Sequence, residues 1–344
     1  MQAASLSFKS RMESSTGDDF TQILKPEYLN QSTDQEITAL PNEVKTKMIA
    51  HSLACTAIAF NPMGDLLATG GADKVVKLWQ LKKQKVNDMA TLKSKSNPVC
   101  AISFSLDNDF FVSCSTDHKA TIYHLKGQIR AKNSFAAHSD LISSARFMFS
   151  QRQLVTASHD CYVKFWDVNS GDIVRSINSY SKCFDMHISR SETNIGSGHK
   201  DGSIKVWDSK SKDQILKLED AHADPVACLR FTPEENFIVS TSRDDTIKVW
   251  DMRMRKLLHS FEHDYFKLGS HQNKLCVSPN GQYAVCGTKD GAIIFYDIKK
   301  GECADIIPDQ HRSQVVAVEW HPKSDKFNQL VSADDLGGLL FWGV

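Results

Sequence analysis

The feature that most constrains the fold is a short aromatic-centred segment that recurs along the chain at a nearly constant interval. It stands as GGADKVVKLWQL at Gly70–Leu81, GHKDGSIKVWDS at Gly198–Ser209 and SRDDTIKVWDMR at Ser242–Arg253. Repeats of about 40–45 residues are typical of small sheets arranged in a ring. The central aromatic occurs seven times, 41 to 46 residues apart, at Trp79, Tyr123, Trp166, Trp207, Trp250, Tyr296 and Trp342.

The pattern inside each copy predicts strands. Apolar and polar residues alternate in stretches such as CTAIAF and VVKLWQ, and turn-forming stretches such as NPMGD and SPNGQ separate them. Alternation over four to eight residues between turn signals indicates half-buried strands. Each copy therefore predicts a small antiparallel sheet. Although a length of 344 residues alone suggests two domains, seven such copies predict one all-β ring of seven blades.

The two ends of the repeat region suggest how the ring closes. The last copy ends at Val344 directly after its third strand, and Glu43–His51 (EVKTKMIAH) has the pattern of the fourth, outer strand of other copies. We therefore expect an N-terminal strand to complete the last blade, which removes an open sheet edge. The predicted division is a flexible polar segment at Met1–Asn42 and a seven-bladed propeller over residues 43–344.

These repeats resemble the WD-repeat β-propeller family. In that family a His, a Ser or Thr, an Asp and a Trp form hydrogen bonds across one blade, and the resemblance implies the same role at matching offsets here. A closed network of this kind is retained as a unit, because a buried polar group without a partner costs about 1–3 kcal/mol. The matching sets are His51, Thr69, Asp73 and Trp79; His138, Thr156, Asp160 and Trp166; His222, Ser240, Asp244 and Trp250; and His311, Ser332, a shifted Asp335 and Trp342.

The same residue types could suggest a hydrolase triad. A triad occurs once, beside an oxyanion hole, whereas this constellation occurs four times and no G-x-S-x-G motif is present. Repetition favours a structural role, so we expect no catalytic residues and no enzyme activity.

Copies two, four and six depart from the pattern. Lys95, Ser179 and Leu268 stand at the histidine offset. We expect these three blades to be held less tightly and to open locally more often.

Composition excludes several classes of function. Acidic and basic residues balance at 41 each, so the chain has no bulk charge that favours nucleic acid or an anionic membrane. No apolar run approaches a membrane span or a signal peptide, and we expect no direct membrane insertion. Nine cysteines without a C-x-x-C pair indicate reduced thiols in the cytosol or nucleus and no zinc site, and of the two compartments we expect the cytoplasm.

Two weaker binding signals have structural alternatives. His259, His263 and His271 have ligand-like spacing, but they fall on a predicted outer strand and a loop, which favours no metal site. The lysine-rich stretch Leu81–Ser96 could bind phosphate, but a solvated loop and edge strand is the more favoured interpretation. No glycine-rich nucleotide loop is present, so we expect no cofactor.

A propeller without catalytic residues is most often a docking platform for proteins or short peptide motifs. Partners of the WD family commonly bind the face that carries the loops around each tetrad His and just before each Asp. Arg and aromatic residues are frequent binding anchors, so Arg243, Tyr162 and Phe184 are the first candidates. The further candidates in these loops are His159, Lys200, Asp245, Lys182 and Lys289.

The chain also resembles a narrower group, the C-terminal propeller of the autophagy-related sixteen family. The resemblance rests on FKLGSHQNKLCVSPNGQYAVCGTKDGAIIFYD in copy six, together with LLATGGADKVVKLW, SRDDTIKVWDMR and QHRSQVVAVEWHP. It implies a propeller that recruits a ubiquitin-like conjugation complex to membranes through partner proteins.

Two observations leave alternatives open. Relatives of that family carry an N-terminal conjugation-complex-binding helix and a coiled coil, whereas only Met1–Asn42 precedes the repeats here, without sustained heptads. The sequence is therefore either a fragment of such a protein or a propeller-only relative, and the second alternative would not support the conjugation role. Within it, Asp18–Asn30 could form a short docking helix or a disordered linker. The alternative function is a general WD scaffold, such as a ubiquitin-ligase substrate receptor or a centriolar assembly factor.

Overall fold

The structure is a computed structural model that describes residues 37, 39–82, 85–93, 97–148, 150, 152–211, 213–264, 266–269, 273–323 and 329–344. These residues form 28 strands and no helix. Contacts within the chain divide it into Met1–Gln31 and Ser32–Val344, and all the strands belong to the second unit. The predicted flexible segment Met1–Asn42, including Asp18–Asn30, lies almost entirely outside the described residues.

The strands are grouped into seven four-stranded sheets, which are the seven blades. In chain order they are β1 (Glu43–Ile49), β2 (Cys55–Phe60), β3 (Leu66–Gly71), β4 (Val75–Lys82), β5 (Lys85–Lys93), β6 (Val99–Phe104), β7 (Phe110–Ser115), β8 (Lys119–His124), β9 (Arg130–Ala136), β10 (Ile142–Met148), β11 (Gln153–Ser158), β12 (Tyr162–Asp167), β13 (Ile173–Asn178), β14 (Cys183–Ile188), β15 (Asn194–His199), β16 (Ile204–Asp208), β17 (Gln214–Leu218), β18 (Val226–Phe231), β19 (Phe237–Ser242), β20 (Thr246–Asp251), β21 (Lys256–Glu262), β22 (Cys276–Val277), β23 (Tyr283–Gly287), β24 (Ile293–Asp297), β25 (Glu302–Ile307), β26 (Val315–Trp320), β27 (Leu330–Asp334) and β28 (Gly338–Gly343).

Each blade is an antiparallel sheet built from the inside of the ring outward. Blade one is β2–β5, blade two β6–β9, blade three β10–β13, blade four β14–β17, blade five β18–β21 and blade six β22–β25. The innermost strand of each blade contacts the innermost strands of its two neighbours, and β26 of blade seven contacts β2 of blade one. The ring is therefore closed, and the predicted seven-bladed fold is confirmed.

The seventh blade joins the two ends of the repeat region. Its order is β1-β28-β27-β26, and β1 pairs antiparallel with β28 from Glu43 opposite Gly343 to Ile49 opposite Gly338. The carbonyl of Gly337 also accepts hydrogen bonds from the N–H groups of Ala50 and His51, at 2.9 and 3.2 Å. The outer strand of blade seven is thus supplied by the N-terminal side of the repeat region, as the pattern of Glu43–His51 predicts.

The hydrophobic core lies between neighbouring blades. One cluster joins Ala57 and Leu78 of blade one to Val99 and Phe104 of blade two. Another packs Leu340 and Trp342 of blade seven against blade six, with Ile37 and Leu40 upstream of β1 against it. Inner strands are buried almost throughout, whereas outer strands such as β13 alternate or lie exposed. This gradient explains why the aromatic anchors recur on the third strand, where they fill the space between blades.

Candidate functional site

Blade one contains a chain of hydrogen bonds from an indole to a carboxylate. Trp79 Nε1 donates to Thr69 Oγ1 at 3.0 Å, and that hydroxyl lies 2.9 Å from His51 Nε2. His51 Nδ1 lies 3.0 Å from the carboxylate of Asp73. With a neutral imidazole protonated on Nδ1, each donor in the chain meets an acceptor, so the four side chains satisfy one another.

Local structure explains why these residues meet. Thr69 lies on β3, Trp79 lies on the adjacent β4, and Asp73 lies in the turn between them, while His51 precedes β2. Asp73 also accepts hydrogen bonds from the backbone N–H groups of Ser52 and Val75, at 3.1 and 3.2 Å. The carboxylate therefore ties the loop before β2 to the turn after β3.

The same bonds recur in blades three and five with donor–acceptor distances between 2.8 and 3.0 Å. Their members are His138, Thr156, Asp160 and Trp166 in blade three, and His222, Ser240, Asp244 and Trp250 in blade five.

Ionisation within a tetrad follows from burial and pairing. Burial lowers the pKa of His138, against the opposing effect of Asp160, which favours the neutral imidazole. Burial alone would raise the pKa of Asp160, but the hydrogen bonds from His138 and from the N–H of Ser139 are among the causes that lower it to about 2. A neutral histidine beside a carboxylate is the state that the hydrogen-bond directions require.

Burial of the hydroxyls argues against nucleophilic catalysis at these positions. The side chains of Thr69, Thr156 and Ser240 lie in residues with no accessible surface. Each hydroxyl oxygen also accepts a bond from an indole. A substrate carbonyl could not reach these oxygens without opening the blade, so the tetrads are built as structural units.

In blade seven the sequence-based assignment of the aspartate was wrong. His311 Nδ1 lies 2.8 Å from Asp334, not from Asp335, while Ser332 accepts from Trp342 Nε1 at 2.8 Å. Asp334 precedes the tryptophan by eight residues, whereas Asp73 precedes Trp79 by six. The longer turn contains Gly337 at φ 84°. Asp334 Oδ1 accepts hydrogen bonds from the backbone N–H groups of Leu336 and Gly338, at 3.1 and 2.6 Å, which keeps the carboxylate in place.

Blade four closes its network in another way. Trp207 Nε1 donates to Ser197 Oγ at 2.9 Å, and that oxygen lies 2.9 Å from Nε2 of His199 on the same strand. His199 Nδ1 lies 3.3 Å from the carbonyl of Ser181. The hydroxyl of Ser179, at the usual histidine offset, lies 2.9 and 2.8 Å from the carbonyl oxygens of Cys161 and Ser181. The imidazole is therefore supplied from β15, which offset matching in the sequence missed.

Blades two and six carry Tyr123 and Tyr296 in place of the tryptophan. The hydroxyl of Tyr296 is buried without a hydrogen-bond partner among the described residues. Leu268, at the histidine offset of blade six, contributes its backbone N–H to Asp245 Oδ1 at 2.8 Å. Lys95 of blade two lies outside the described residues. The predicted greater opening of blades two, four and six stays a prediction.

Sequence reasoning also missed an ionic network at the centre of the ring. The fully buried carboxylate of Asp185 on β14 lies 2.6 Å from Arg230 Nη1 and 2.8 Å from Lys274 Nζ. It accepts the N–H of Leu229 at 3.1 Å as well. Burial alone would raise the pKa of Asp185, but Lys274 and Arg230 outweigh it and lower the pKa. A charged residue within a buried innermost strand, as Asp185 in CFDMHI, was the available signal.

Two further charges stand near this network on innermost strands. Burial raises the pKa of Glu319 on β26, and burial together with Arg230 lowers the pKa of Arg146 on β10. Arg146 Nη1 bonds to the backbone carbonyls of Ile102 and Ala145, at 3.5 and 3.2 Å. The centre of the ring is therefore polar on the side of blades three to seven.

The loops around the tetrad His and before the tetrad Asp form one face, here called the top face. On it Arg243 is exposed, and the adjacent Asp245 lies 3.5 Å from Lys267 Nζ while accepting the N–H of Leu268. The sequence left open an ion pair between Arg243 and Asp245. In the described part of the chain no such ion pair is formed, and Arg243 remains available.

The two aromatic candidates differ in exposure. Tyr162 is 38% exposed, and Lys164 Nζ lies 5.9 Å from its ring centre. Phe184 is only 9% exposed, and its ring meets that of His159 edge-on with centres 4.6 Å apart. Phe184 therefore supports the loop that carries His159 and offers little surface of its own, unlike the exposed anchor that the sequence suggested.

The cationic candidates form a row across three blades. The N–H of Lys200 donates to the carbonyl of Lys182 in blade four, and that of Lys289 to the carbonyl of Lys267 in blade six. Lys182 Nζ forms an ion pair with Asp140 Oδ2 at 2.9 Å. Lys200 and Lys289 are exposed, and Arg243 lies on the blade between them. We call Lys200, Arg243 and Lys289 the upper basic arc.

The histidines with ligand-like spacing do not converge. His259 Nε2 lies 3.3 Å from the carbonyl of Lys299, and His263 stacks on Phe261. His271 lies outside the described residues. Across the described ranges no group of three His, Cys, Asp or Glu side chains could hold a metal ion, and none of their segments is a helix long and apolar enough to cross a membrane.

Residues 42–80, 87–124, 130–167, 171–208, 213–251 and 256–297 match the WD domain, G-beta repeat family. The chain belongs to this family. The match covers six repeats of a WD40 propeller whose structure has seven blades. The first matched range includes β1 of blade seven, and the strands after the last matched residue are β25–β28.

The WD40 propeller is also similar to larger curated proteins. It is 29% identical over 328 residues to Protein tipD of Dictyostelium discoideum, covering 94% of this chain and 52% of that protein. It is 24% identical over 306 residues to Autophagy-related protein 16 of Arabidopsis thaliana, covering 89% and 58%. It is 30% identical over 303 residues to human Protein Atg16l2, covering 88% and 48%. The chain thus spans about half the length of these relatives, and its expected resemblance to the autophagy-related sixteen family is confirmed.

Proposed function

We propose that this WD40 propeller is a non-catalytic docking platform that brings a ubiquitin-like conjugation complex to membranes through partner proteins. The observation that supports this most is the similarity to Autophagy-related protein 16 and Protein Atg16l2 over about nine-tenths of the chain. The propeller itself would carry no catalysis, since its repeated Ser/Thr–His–Asp sets are buried structural units. It would work in the cytoplasm and reach membranes through what it binds.

The partner site is proposed to be the top face around the upper basic arc. Three exposed cations on consecutive blades favour a partner segment with acidic residues, because complementary charge steers encounter and selects partners. Tyr162 adds an exposed aromatic on blade three, and aromatic and arginine side chains are frequent anchors of binding energy. A protein or peptide ligand is favoured over nucleic acid because acidic and basic residues balance in the whole chain.

The test is affinity purification of the full chain from its source cells followed by mass spectrometry. The variant is Arg243→Glu with Lys200→Glu. The matched control is Lys47→Glu with Arg130→Glu, which makes the same change in charge at two exposed residues on the outer strands β1 and β9. Conjugation-machinery proteins that are captured by the wild type and the control, but lost from the variant, are the expected result.

Two outcomes would contradict the proposal. Capture of a ubiquitin-ligase core or of centriolar proteins would assign the chain to the general WD scaffolds. Conjugation proteins retained equally by all three chains would remove the upper basic arc from the binding site.

A further inference from the structure

The turn between β20 and β21 of blade five presents a continuous exposed segment. All six residues of Arg253–Leu258 (RMRKLL) are exposed, and Met254 at its tip is 60% exposed. Asp251 Oδ1 accepts the N–H groups of Arg253 and Met254, at 2.8 and 2.7 Å. These bonds fix the turn, so the methionine projects from a formed loop. We call Arg253–Leu258 the blade-five turn.

The cations of this turn are not neutralised within the protein. Among the described residues Arg253, Arg255 and Lys256 form no ion pair. The corresponding turn of blade six adds Lys299 and Lys300, and it lies against β21 because His259 Nε2 contacts the carbonyl of Lys299. Both lysine side chains are exposed. Asp297 Oδ1 accepts hydrogen bonds from the backbone N–H groups of Lys299 and Lys300, at 3.1 and 2.9 Å. Glu302, an exposed acid that pairs in register with Asp297, offsets part of this charge.

Apolar side chains continue from the turn around the ring. Leu257 is opposite Trp250, and the same register position is occupied by Ile173 in blade three. The position that follows in the sequence is occupied by Leu258 in blade five, Ile215 in blade four and Val174 in blade three. All three residues are exposed. Three consecutive blades thus carry exposed apolar residues at one height on their outer strands.

We propose that the blade-five turn, with Lys299 and Lys300, binds the headgroup layer of an anionic lipid membrane. A methionine between two arginines can enter the interface while the guanidinium groups stay at phosphate level, since long cationic side chains keep their charge in the polar layer. Juxtaposed cations are attracted to the negative surface potential of anionic lipids. The contact is peripheral and needs no segment to cross the bilayer.

Lipid is favoured over an acidic protein by the shape of this surface. The methionine lies in an exposed turn, and the cations lie at the turns of blades five and six. Exposed apolar residues lie on the outer strands of blades three to five. A fluid headgroup layer accommodates such a surface, whereas a protein partner would need a pocket matched to it. The whole chain has 41 acidic and 41 basic residues, and this balance does not reveal the local excess of basic side chains at the two turns. For that reason the composition argued against binding to an anionic membrane.

The experiment is co-sedimentation of the full chain with phosphatidylcholine vesicles, with and without about 30% phosphatidylserine, at low salt. Binding is expected only with phosphatidylserine and should weaken strongly as added salt screens the charges. Arg253→Glu with Arg255→Glu should weaken it about tenfold or more. Met254→Ser should weaken it severalfold without changing the charge.

Matched controls separate the turn from general effects. Lys47→Glu with Arg130→Glu makes the same charge change elsewhere on the ring, and Leu53→Ser removes an apolar side chain that is also more than half exposed. Both should bind vesicles nearly as the wild type does. The proposal is overturned if wild-type chain does not sediment with anionic vesicles, or if the controls lose as much binding as the turn variants. Capture of an acidic peptide by the turn without any vesicle binding would assign the surface to a protein partner instead.

Discussion

The ionic network at the centre of the ring gives a quantitative prediction for Asp185→Asn. The substitution keeps the shape of the side chain but removes its charge. Arg230 and Lys274, now 2.6 and 2.8 Å from the carboxylate oxygens, would then face a neutral amide. An amide NH₂ group would also point at one of these two cations, because its carbonyl can meet only the other.

The magnitude follows from burial. Removing one partner of a buried ion pair costs about 3–5 kcal/mol, because the remaining charge is left uncompensated. Asp185 has no accessible surface and holds two cations and one backbone N–H, so we expect a loss of about 3 kcal/mol or more in the free energy of unfolding. The matched control is Asp140→Asn, whose pair with Lys182 is exposed on both sides and should change stability by less than about 1 kcal/mol.

The pH dependence of this contribution has a definite sign. The pKa of Asp185 is lower in the folded chain than the ordinary value of about 3.9. Its contribution is therefore complete above that ordinary value and is lost as the pH falls through the lowered folded pKa. In Asp185→Asn this part of the acid sensitivity should be absent.

Urea unfolding at neutral pH, followed by circular dichroism, measures the effect. Adding Lys274→Met to Asp185→Asn should recover part of the loss, because one uncompensated cation is removed. A change of less than about 1 kcal/mol in Asp185→Asn, equal to that in Asp140→Asn, would refute the assignment of this network as a stabilising element.

Three further outcomes are expected. Thr69→Val should lower stability by about 1–3 kcal/mol in the same urea assay, because an indole N–H and an imidazole nitrogen lose their partner. Gly337→Ala should lower the melting temperature more than Gly127→Ala, since both residues have positive φ but only an added Cβ at Gly337 meets backbone carbonyls of the adjoining loop. Of the nine cysteines, only Cys161 and Cys303 should react readily with a thiol reagent in the folded chain, as the other seven are buried; rapid labelling of more than two thiols would contradict the packing described.

The ring and its closure could be predicted because both follow from a local sequence pattern that repeats along the chain. Alternation, turn residues and an aromatic at a period of 41 to 46 residues recur in each copy, so a single weak copy does not mislead. The tetrad offsets repeat in the same way, and their members meet in blades one, three and five. The failure at Asp335, which already departed from the offset, came from a turn of different length, in which Asp334 supplies the carboxylate that contacts His311.

The rest depended on contacts that the repeat does not encode. Asp185 is 45 residues from Arg230 and 89 from Lys274, which is close to one and two repeat periods. The repeat itself, however, does not indicate that charged side chains at these positions face one another. His199 replaces a missing histidine from a different strand, so matching by offset could not find it. The burial of Phe184 depends on the ring of His159 beside it, which the sequence shows only as another loop residue.

The two kinds of polar network stabilise different parts of the ring. A tetrad joins strands and loops within one blade, as His51, Thr69 and Trp79 do in blade one. Asp185 instead joins three blades, because its partners Arg230 and Lys274 belong to blades five and six. Blades four and six both lack the His–Asp pair, and the bond from Asp185 to Lys274 links these two directly. The tetrads therefore stabilise single blades, whereas this buried charge network stabilises the contacts among blades four, five and six.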